Sequence, residues 1–114
     1  MMALDKAAIL EKAKPRLIEV SVPEWDGTIF LREITAGQRD QFDAWQLAQT
    51  EDTRFRDIRA RLLVMSLADA EGNLLFSMGE IATVSGFPAS VVNRLWESAI
   101  DLNGMRPGGE AEKN

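Results

Sequence analysis

The sequence EVSVPEWDGTIFLREITAGQRDQF, residues 19–42, contains two strand-like runs, a turn and the start of a helix. Around the first run, apolar residues alternate with polar ones, a period of two that predicts a half-buried strand; they are Ile18, Val20 and Val22. The second run, residues 28–34, is rich in β-branched and aromatic residues. Between the runs, Asp26 and Gly27 favour a chain reversal because both residue types accept positive φ. The stretch therefore predicts a β-hairpin.

A helix is predicted directly after this hairpin. Thr35 and Gln38 have the spacing of a capping box, in which the Thr35 hydroxyl accepts from the Gln38 N–H and the Gln38 side chain reaches back. Helical spacing of apolar residues predicts this helix and four others, over residues 4–13, 35–49, 53–68, 77–84 and 88–102. The predicted fold class is α+β, a mostly α-helical single domain with an N-terminal β-hairpin.

We expect one domain over residues 1–105, because a chain of 114 residues is too short for two ordinary ones. After Met105, the sequence RPGGEAEKN has no apolar periodicity. Residues 106–114 are therefore predicted to be a disordered C-terminal tail.

The composition argues against an enzyme. The chain has no cysteine and no histidine, and so has no cysteine nucleophile, none of the usual zinc ligands and no histidine for acid–base work at neutral pH. The carboxylates near the hairpin, Glu24, Asp26 and Glu33, show no sequence sign of convergence. We predict no catalytic, cofactor-binding or metal site.

The charge favours a protein partner. A formal net charge of −5 at pH 7 argues against binding to a phosphate backbone, which depends on excess lysine and arginine. No apolar run approaches the roughly 18 residues needed to span a bilayer. The N-terminal residues also lack the apolar region of a signal peptide, so we expect a cytoplasmic protein with no membrane partner.

Two features could contact a partner. Trp25 and Asp26 lie at the hairpin tip, where the tryptophan either folds back onto the sheet or anchors a partner. The helix over residues 53–68 carries four arginines that could bind an acidic surface; they are Arg54, Arg56, Arg59 and Arg61. Alternatively, i,i+4 pairs of Asp52 with Arg56 and of Asp57 with Arg61 would simply solvate an exposed face, and we favour this reading. The candidate partner-binding residues are Trp25, Asp26, Arg54 and Arg59.

Two further patterns suggest other chemistry. EIATVSGFPASVVNRLW, residues 80–96, has the outline of a helix-turn-helix, but only Asn93 and Arg94 on its second helix are good readers of base edges. Residues 69–80 place acidic or amide side chains at several positions of a calcium loop, yet Leu74 stands where the sharp turn requires glycine. We therefore reject a calcium site and keep DNA binding as the alternative.

The run VPEWDGTIFLREITAGQRDQF, the later RARLLVMSLADAEGNLLFS and the helix ending in LNGM resemble the tail assembly chaperones of long-tailed bacteriophages and their prophages. The resemblance covers residues 19–105. It implies a non-enzymatic protein that binds the tape-measure protein, keeps it soluble, helps to recruit the major tail protein of the tail tube, and is absent from the finished virion. Such families commonly make a longer product by ribosomal frameshifting, and codons for Glu112, Lys113 and Asn114 could contain a slippery sequence.

We therefore expect a phage tail assembly chaperone in the cytoplasm of an infected or lysogenic bacterium. The alternatives are a helix-turn-helix regulator of a phage operon, using residues 80–96, and a structural tail or connector component. The sequence is compatible with an oligomer and leaves its size open.

Overall fold

Residues 2–106 are described by the computed structural model, and they contain the predicted hairpin. Its antiparallel strands are β1 (Leu17–Val22) and β2 (Gly27–Arg32). The chain reverses through a 3₁₀ turn, Pro23–Trp25, followed by Asp26 at a left-handed φ of 51°. Aspartate is one of the few non-glycine residue types that visit this backbone region readily. The hairpin prediction is confirmed, including the position of its turn.

A third strand that the sequence did not predict lies beside β2, giving the strand order β1-β2-β3. This strand, β3 (Leu67–Ala68), pairs antiparallel with β2 and places Leu67 opposite Leu31. Just before it, the Arg32 N–H donates to the Ser66 carbonyl at 2.7 Å. Because β2 is the central strand, its second ladder fastens the hairpin to the helical part of the molecule.

The helix that follows the hairpin begins with the capping box that the sequence predicts. The Thr35 hydroxyl accepts from the Gln38 N–H at 3.1 Å, and Gln38 Oε1 accepts from the Thr35 N–H at 2.8 Å. No helix within residues 2–106 is both long enough and apolar enough to cross a bilayer. Across those residues the α-helices are α1 (Lys6–Lys12), α2 (Ala36–Leu47), α3 (Ile58–Val64), α4 (Ile81–Ser85) and α5 (Ala89–Leu102). Together with the three strands, they confirm the predicted α+β class.

The helix predicted over residues 53–68 is wrong at both ends. At its start, residues 51–57 form turns, and Asp57 has a left-handed φ of 55° that a right-handed helix does not contain. At its end, Leu67 and Ala68 leave the helix to form β3. Pairing of Leu67 and Ala68 with β2 satisfies backbone groups of that strand. This pairing is favoured over one more turn of α3.

The connection from β3 to α4 is closed by polar side chains. Asp69 Oδ1 accepts from the Glu71 and Asn73 N–H groups, each at 2.9 Å, and these donors, Asn73 first, hold the pKa of Asp69 below its usual value. Within residues 2–106 no acidic cluster could hold a metal ion. The helix predicted over residues 77–84 begins instead as a 3₁₀ turn, where Glu80 Oε1 accepts from the Ser77 N–H at 2.9 Å.

The core lies between the sheet and the last three helices. Its fully buried side chains include Leu31, Leu62, Leu63, Val84 and Leu95. Trp45 and Trp96 are half-buried. Trp96 packs against the core, whereas the face of Trp45 is covered by the guanidinium of Arg61 at 4.1 Å.

The side chain of Asn103 fixes the end of α5 to the short connection between β2 and α2. Asn103 Oδ1 accepts from the Ile34 N–H at 2.9 Å, and Asn103 Nδ2 donates to the Ala99 carbonyl at 2.8 Å. Gly104 follows with a left-handed φ of 63°, a conformation typical of the residue that closes a helix. The eight residues after Arg106 lie outside the described part of the chain, and with them most of the predicted tail.

Leu31→Ala should destabilise the protein by about 2–5 kcal/mol, because it opens a cavity where the central strand meets the core. Leu47→Ala is the matched control: Leu47 is 86% exposed, so its truncation should change the free energy of unfolding by less than about 0.5 kcal/mol. Urea denaturation of both variants measures the difference. Equal losses would contradict the packing described here.

Candidate protein-binding groove

An open groove of about 260 Å³ lies between the start of α3 and the connection from α4 to α5. Apolar side chains line both walls; they are Phe55, Ile58 and Ala60 on the α3 side, and Phe87, Ala89 and Val92 on the α5 side. Asp57, Arg59, Ser85 and Asn93 provide its polar lining. An apolar cleft with polar residues around it is suited to an apolar side chain presented by another protein.

Phe87 connects this groove to the hairpin. The rings of Phe87 and Trp25 pack edge to face with their centroids 5.7 Å apart. The ring of Phe76 also packs against Phe87, with a centroid distance of 6.1 Å. Trp25 nevertheless remains 44% exposed. The tryptophan therefore folds back onto the protein, one of the two alternatives left open by the sequence, and still offers nearly half of its surface to a partner.

Phe55 is the most exposed aromatic side chain at the groove. It is 72% exposed, and the guanidinium of Arg54 lies 5.8 Å from its ring centroid. Arg54 is itself paired with Glu51 at 3.8 Å, a solvent-exposed ion pair that contributes little to stability. A large apolar ring left in solvent at the mouth of an apolar cleft is a typical feature of a binding surface.

The arginines of this region do not form the two ion pairs predicted from their spacing. Neither Asp52 with Arg56 nor Asp57 with Arg61 makes a salt bridge, because regular helix begins only at Ile58. Arg61 instead lies over Trp45, and burial lowers the pKa of its guanidinium. The i,i+4 prediction was therefore wrong.

Arg59 remains on the groove, and its guanidinium lies 5.8 Å from the ring centroid of Trp96.

The hairpin is tied to α5 by one ion pair beside the groove. Glu24 Oε2 accepts from Arg94 Nη2 at 2.9 Å, and the Arg94 guanidinium holds the pKa of the Glu24 carboxyl below its usual value. Arg94 was one of two potential base readers of a helix-turn-helix, and here it is engaged with the hairpin. The other, Asn93, lies on the groove. This arrangement does not favour DNA recognition by α5.

The three carboxylates considered for acid–base chemistry have separate partners or structural positions. Glu24 binds Arg94, and Glu33 lies 3.4 Å from Arg16. Asp26 occupies the left-handed position of the hairpin turn. They form no acid–base pair in the described part of the chain.

Three of the four candidate partner-binding residues lie around the groove. Arg59 lines it, Arg54 covers Phe55, and Trp25 contacts Phe87. Asp26 occupies the left-handed position of the hairpin turn and does not line the groove. Neither Phe55 nor Phe87 was predicted from the sequence as a partner-binding residue. An aromatic residue directly after a helix-ending glycine is the signal that could have indicated Phe87.

Comparisons with known proteins place the chain among phage proteins. A family model described as phage tail assembly chaperone matches residues 3–114. Among solved structures, the chain is similar to the tail assembly chaperone of bacteriophage HK97, with 27% sequence identity and a TM-score of 0.65. The match covers 82% of this chain and 94% of that chain. No curated protein sequence matches this chain.

Arg94→Ala should reduce stability in a pH-dependent way. Because the Glu24 pKa is lowered from 4.5 in the folded protein, the ion pair contributes fully above pH 4.5, and its contribution is lost as the pH falls through the lowered value. The difference in free energy of unfolding between wild type and variant should therefore shrink between pH 6 and pH 3. Asn93→Ala, one residue away, should show no such trend. A difference that stays constant over this range would contradict the pairing.

Proposed function

The chain belongs to the phage tail assembly chaperone family, and from this membership we propose that it binds the tape-measure protein while the phage tail is assembled. The observation that carries the proposal is the aromatic groove, with Phe55 and Trp25 exposed beside it. The proposal concerns the client and the surface that binds it. The role in tail assembly follows from the family alone.

The groove suits an apolar stripe on a client helix. A helix in a groove inserts side chains at i, i+3 or i+4, and i+7, and buried aromatic residues supply most of the binding energy at such interfaces. Phe55 and Trp25 would lose their exposed area on binding, while Phe87, which touches Trp25, forms the wall between them. Arg54 and Arg59 at the edge would pair with acidic residues that border the client's apolar stripe.

Chaperone action would then follow from covering the client's apolar stripe and from the net charge of this protein. An apolar helical client aggregates through its exposed stripe, and a bound domain that covers the stripe removes that surface from solvent. The net charge of −5 would keep the resulting complex soluble, because like-charged complexes repel one another. No chemical step is required, which agrees with a non-enzymatic role.

We propose that the protein acts in the cytoplasm of the bacterial host through a folded domain of residues 1–105. The major tail protein is the proposed second partner, and a longer frameshifted form of the chain would share the same domain. The protein would leave before the virion is complete.

Co-expression with the tape-measure protein of the same phage tests the client. Wild type should raise the soluble yield of the tape-measure protein and co-purify with it, and Phe55→Ala or Trp25→Ala should weaken the complex about 30-fold, the value for a hot spot of about 2 kcal/mol. Arg59→Ala should have a smaller effect. Calorimetric titration with purified components measures the affinities.

Leu47→Ala is the control for that experiment, because it truncates a residue that is 86% exposed and does not line the groove. It should bind as wild type does. Absence of a wild-type complex would refute the proposed client. An equal loss in Leu47→Ala and Phe55→Ala would refute the groove as its binding surface.

Purified virions provide a separate test of the proposed departure from the particle. Quantitative mass spectrometry should detect the major tail protein and the tape-measure protein but not this chain. A copy number comparable to that of the structural tail proteins would favour the alternative of a structural tail component.

A further inference from the structure

Residues 51–57, here called the turn segment, have a sequence pattern typical of a helix but form turns in the structure. The segment precedes α3 and carries Phe55 at the mouth of the groove. We propose that it is a two-state lid: it forms turns in the free protein and becomes the first part of a longer α3 when a client helix occupies the groove. The coupling to a client rests on the proposed function, whereas the two states are a property of this chain.

The helical state is encoded in the segment's own residues. Phe55 lies three residues before Ile58 and seven before Leu62, which is the spacing of one helix face. Asp52 and Arg56 have the i,i+4 spacing and orientation of a favourable ion pair, but this pair would form only if the segment were helical. Acidic residues at the start of the segment would also interact favourably with the helix dipole.

The turn state is held by a small number of contacts. Asp57 has φ 55° and ψ 19°, a left-handed conformation that aspartate adopts more readily than most residues but that a right-handed helix does not contain. Its carboxylate Oδ1 accepts from the Ser85 hydroxyl at 2.7 Å, a contact that crosses from α3 to the end of α4. The Asp57 side chain does not cap α3. The exposed hydrogen bond to Ser85 therefore supports a backbone conformation that would have to change for the helix to extend.

Two further side-chain contacts and the backbone hydrogen bonds of the turns themselves complete the turn state. The Thr53 hydroxyl accepts from the Thr50 N–H at 3.0 Å, and Gln46 Nε2 donates to the Arg54 carbonyl at 3.1 Å. Both are solvent-exposed, so water can replace either of them at little cost. A longer helix would break these bonds and would gain helical backbone hydrogen bonds and the Asp52–Arg56 ion pair.

The helical state would change the groove itself. Ile58 lines the groove and Leu62 is buried in the core beneath it. A longer α3 would place Phe55 one turn beyond Ile58 on the same face, extending the apolar wall along a bound helix. It would also separate Asp57 from Ser85, the contact that joins the two walls. Client burial of the Phe55 ring would then stabilise the longer helix, since the ring is 72% exposed in the turn state.

The test uses a matched pair of variants, Asp57→Ala and Asp57→Gly. Both remove the carboxylate that binds Ser85, but alanine favours the helix whereas glycine accepts the left-handed turn. In the free protein, the ¹³Cα chemical shifts of residues 53–57 should move towards helical values in Asp57→Ala and remain turn-like in Asp57→Gly. Ser85→Ala, which leaves the segment's own sequence intact, should move them in the same direction as Asp57→Ala.

Binding gives the second readout. A synthetic peptide from the predicted helix of the tape-measure protein should bind Asp57→Ala about tenfold more tightly than Asp57→Gly, because affinity scales with the population of the competent state. In the wild-type complex, residues 53–57 should show helical shifts.

The outcomes are separable. Turn-like shifts in free Asp57→Ala and Ser85→Ala would overturn the two-state proposal even if the client binds well. Equal affinities of the two Asp57 variants, or turn-like shifts in the wild-type complex, would overturn the coupling to the client. If no complex forms with any variant, the proposed function fails and the coupling fails with it. The shifts of the free variants still decide whether the segment has two states.

Discussion

The pairing of β2 with β3 is the constraint on which the rest of the structure depends. A two-stranded hairpin is marginally stable on its own, and this one becomes part of the protein because β2 also pairs with a strand that directly follows α3. The ladder places Leu31 opposite Leu67 in the core, and the Arg32 N–H donates to the Ser66 carbonyl. That second ladder is the backbone attachment of the hairpin to the helical part of the molecule.

The groove depends on this attachment. It is built from the start of α3 and the α4–α5 connection, and the hairpin brings Trp25 against Phe87 at its side. The ion pair between Glu24 and Arg94 adds a second tie between hairpin and α5. A rigid framework of sheet and core therefore holds one aromatic wall, whereas Phe55 on the other wall belongs to a segment held by few contacts. Rigid positioning of one wall and adaptability of the other is a useful combination for a protein that receives a helix.

Sequence reasoning succeeded where structure is determined locally and failed where it depends on distant partners. The hairpin turn and the capping box of Thr35 follow from neighbouring residues, and both were predicted. β3 was not predicted, because Leu67 and Ala68 continue a helical stripe and are drawn out of it only by β2. At the groove, Trp25 and Arg59 could be selected by residue type, but no local pattern shows that Phe87 would lie beside a tryptophan more than sixty residues earlier in the chain.

Site-specific photo-crosslinking tests the central claim, that the groove receives the tape-measure protein. The groove-lining Ala89 and the exposed Ala44 on α2 would each be replaced with a photoreactive phenylalanine derivative, in otherwise wild-type protein co-expressed with the tape-measure protein. Position 89 should cross-link to the tape-measure protein, within an apolar helical stretch of that client, and position 44 should not. A cross-link from position 44 with none from position 89 would contradict the central claim.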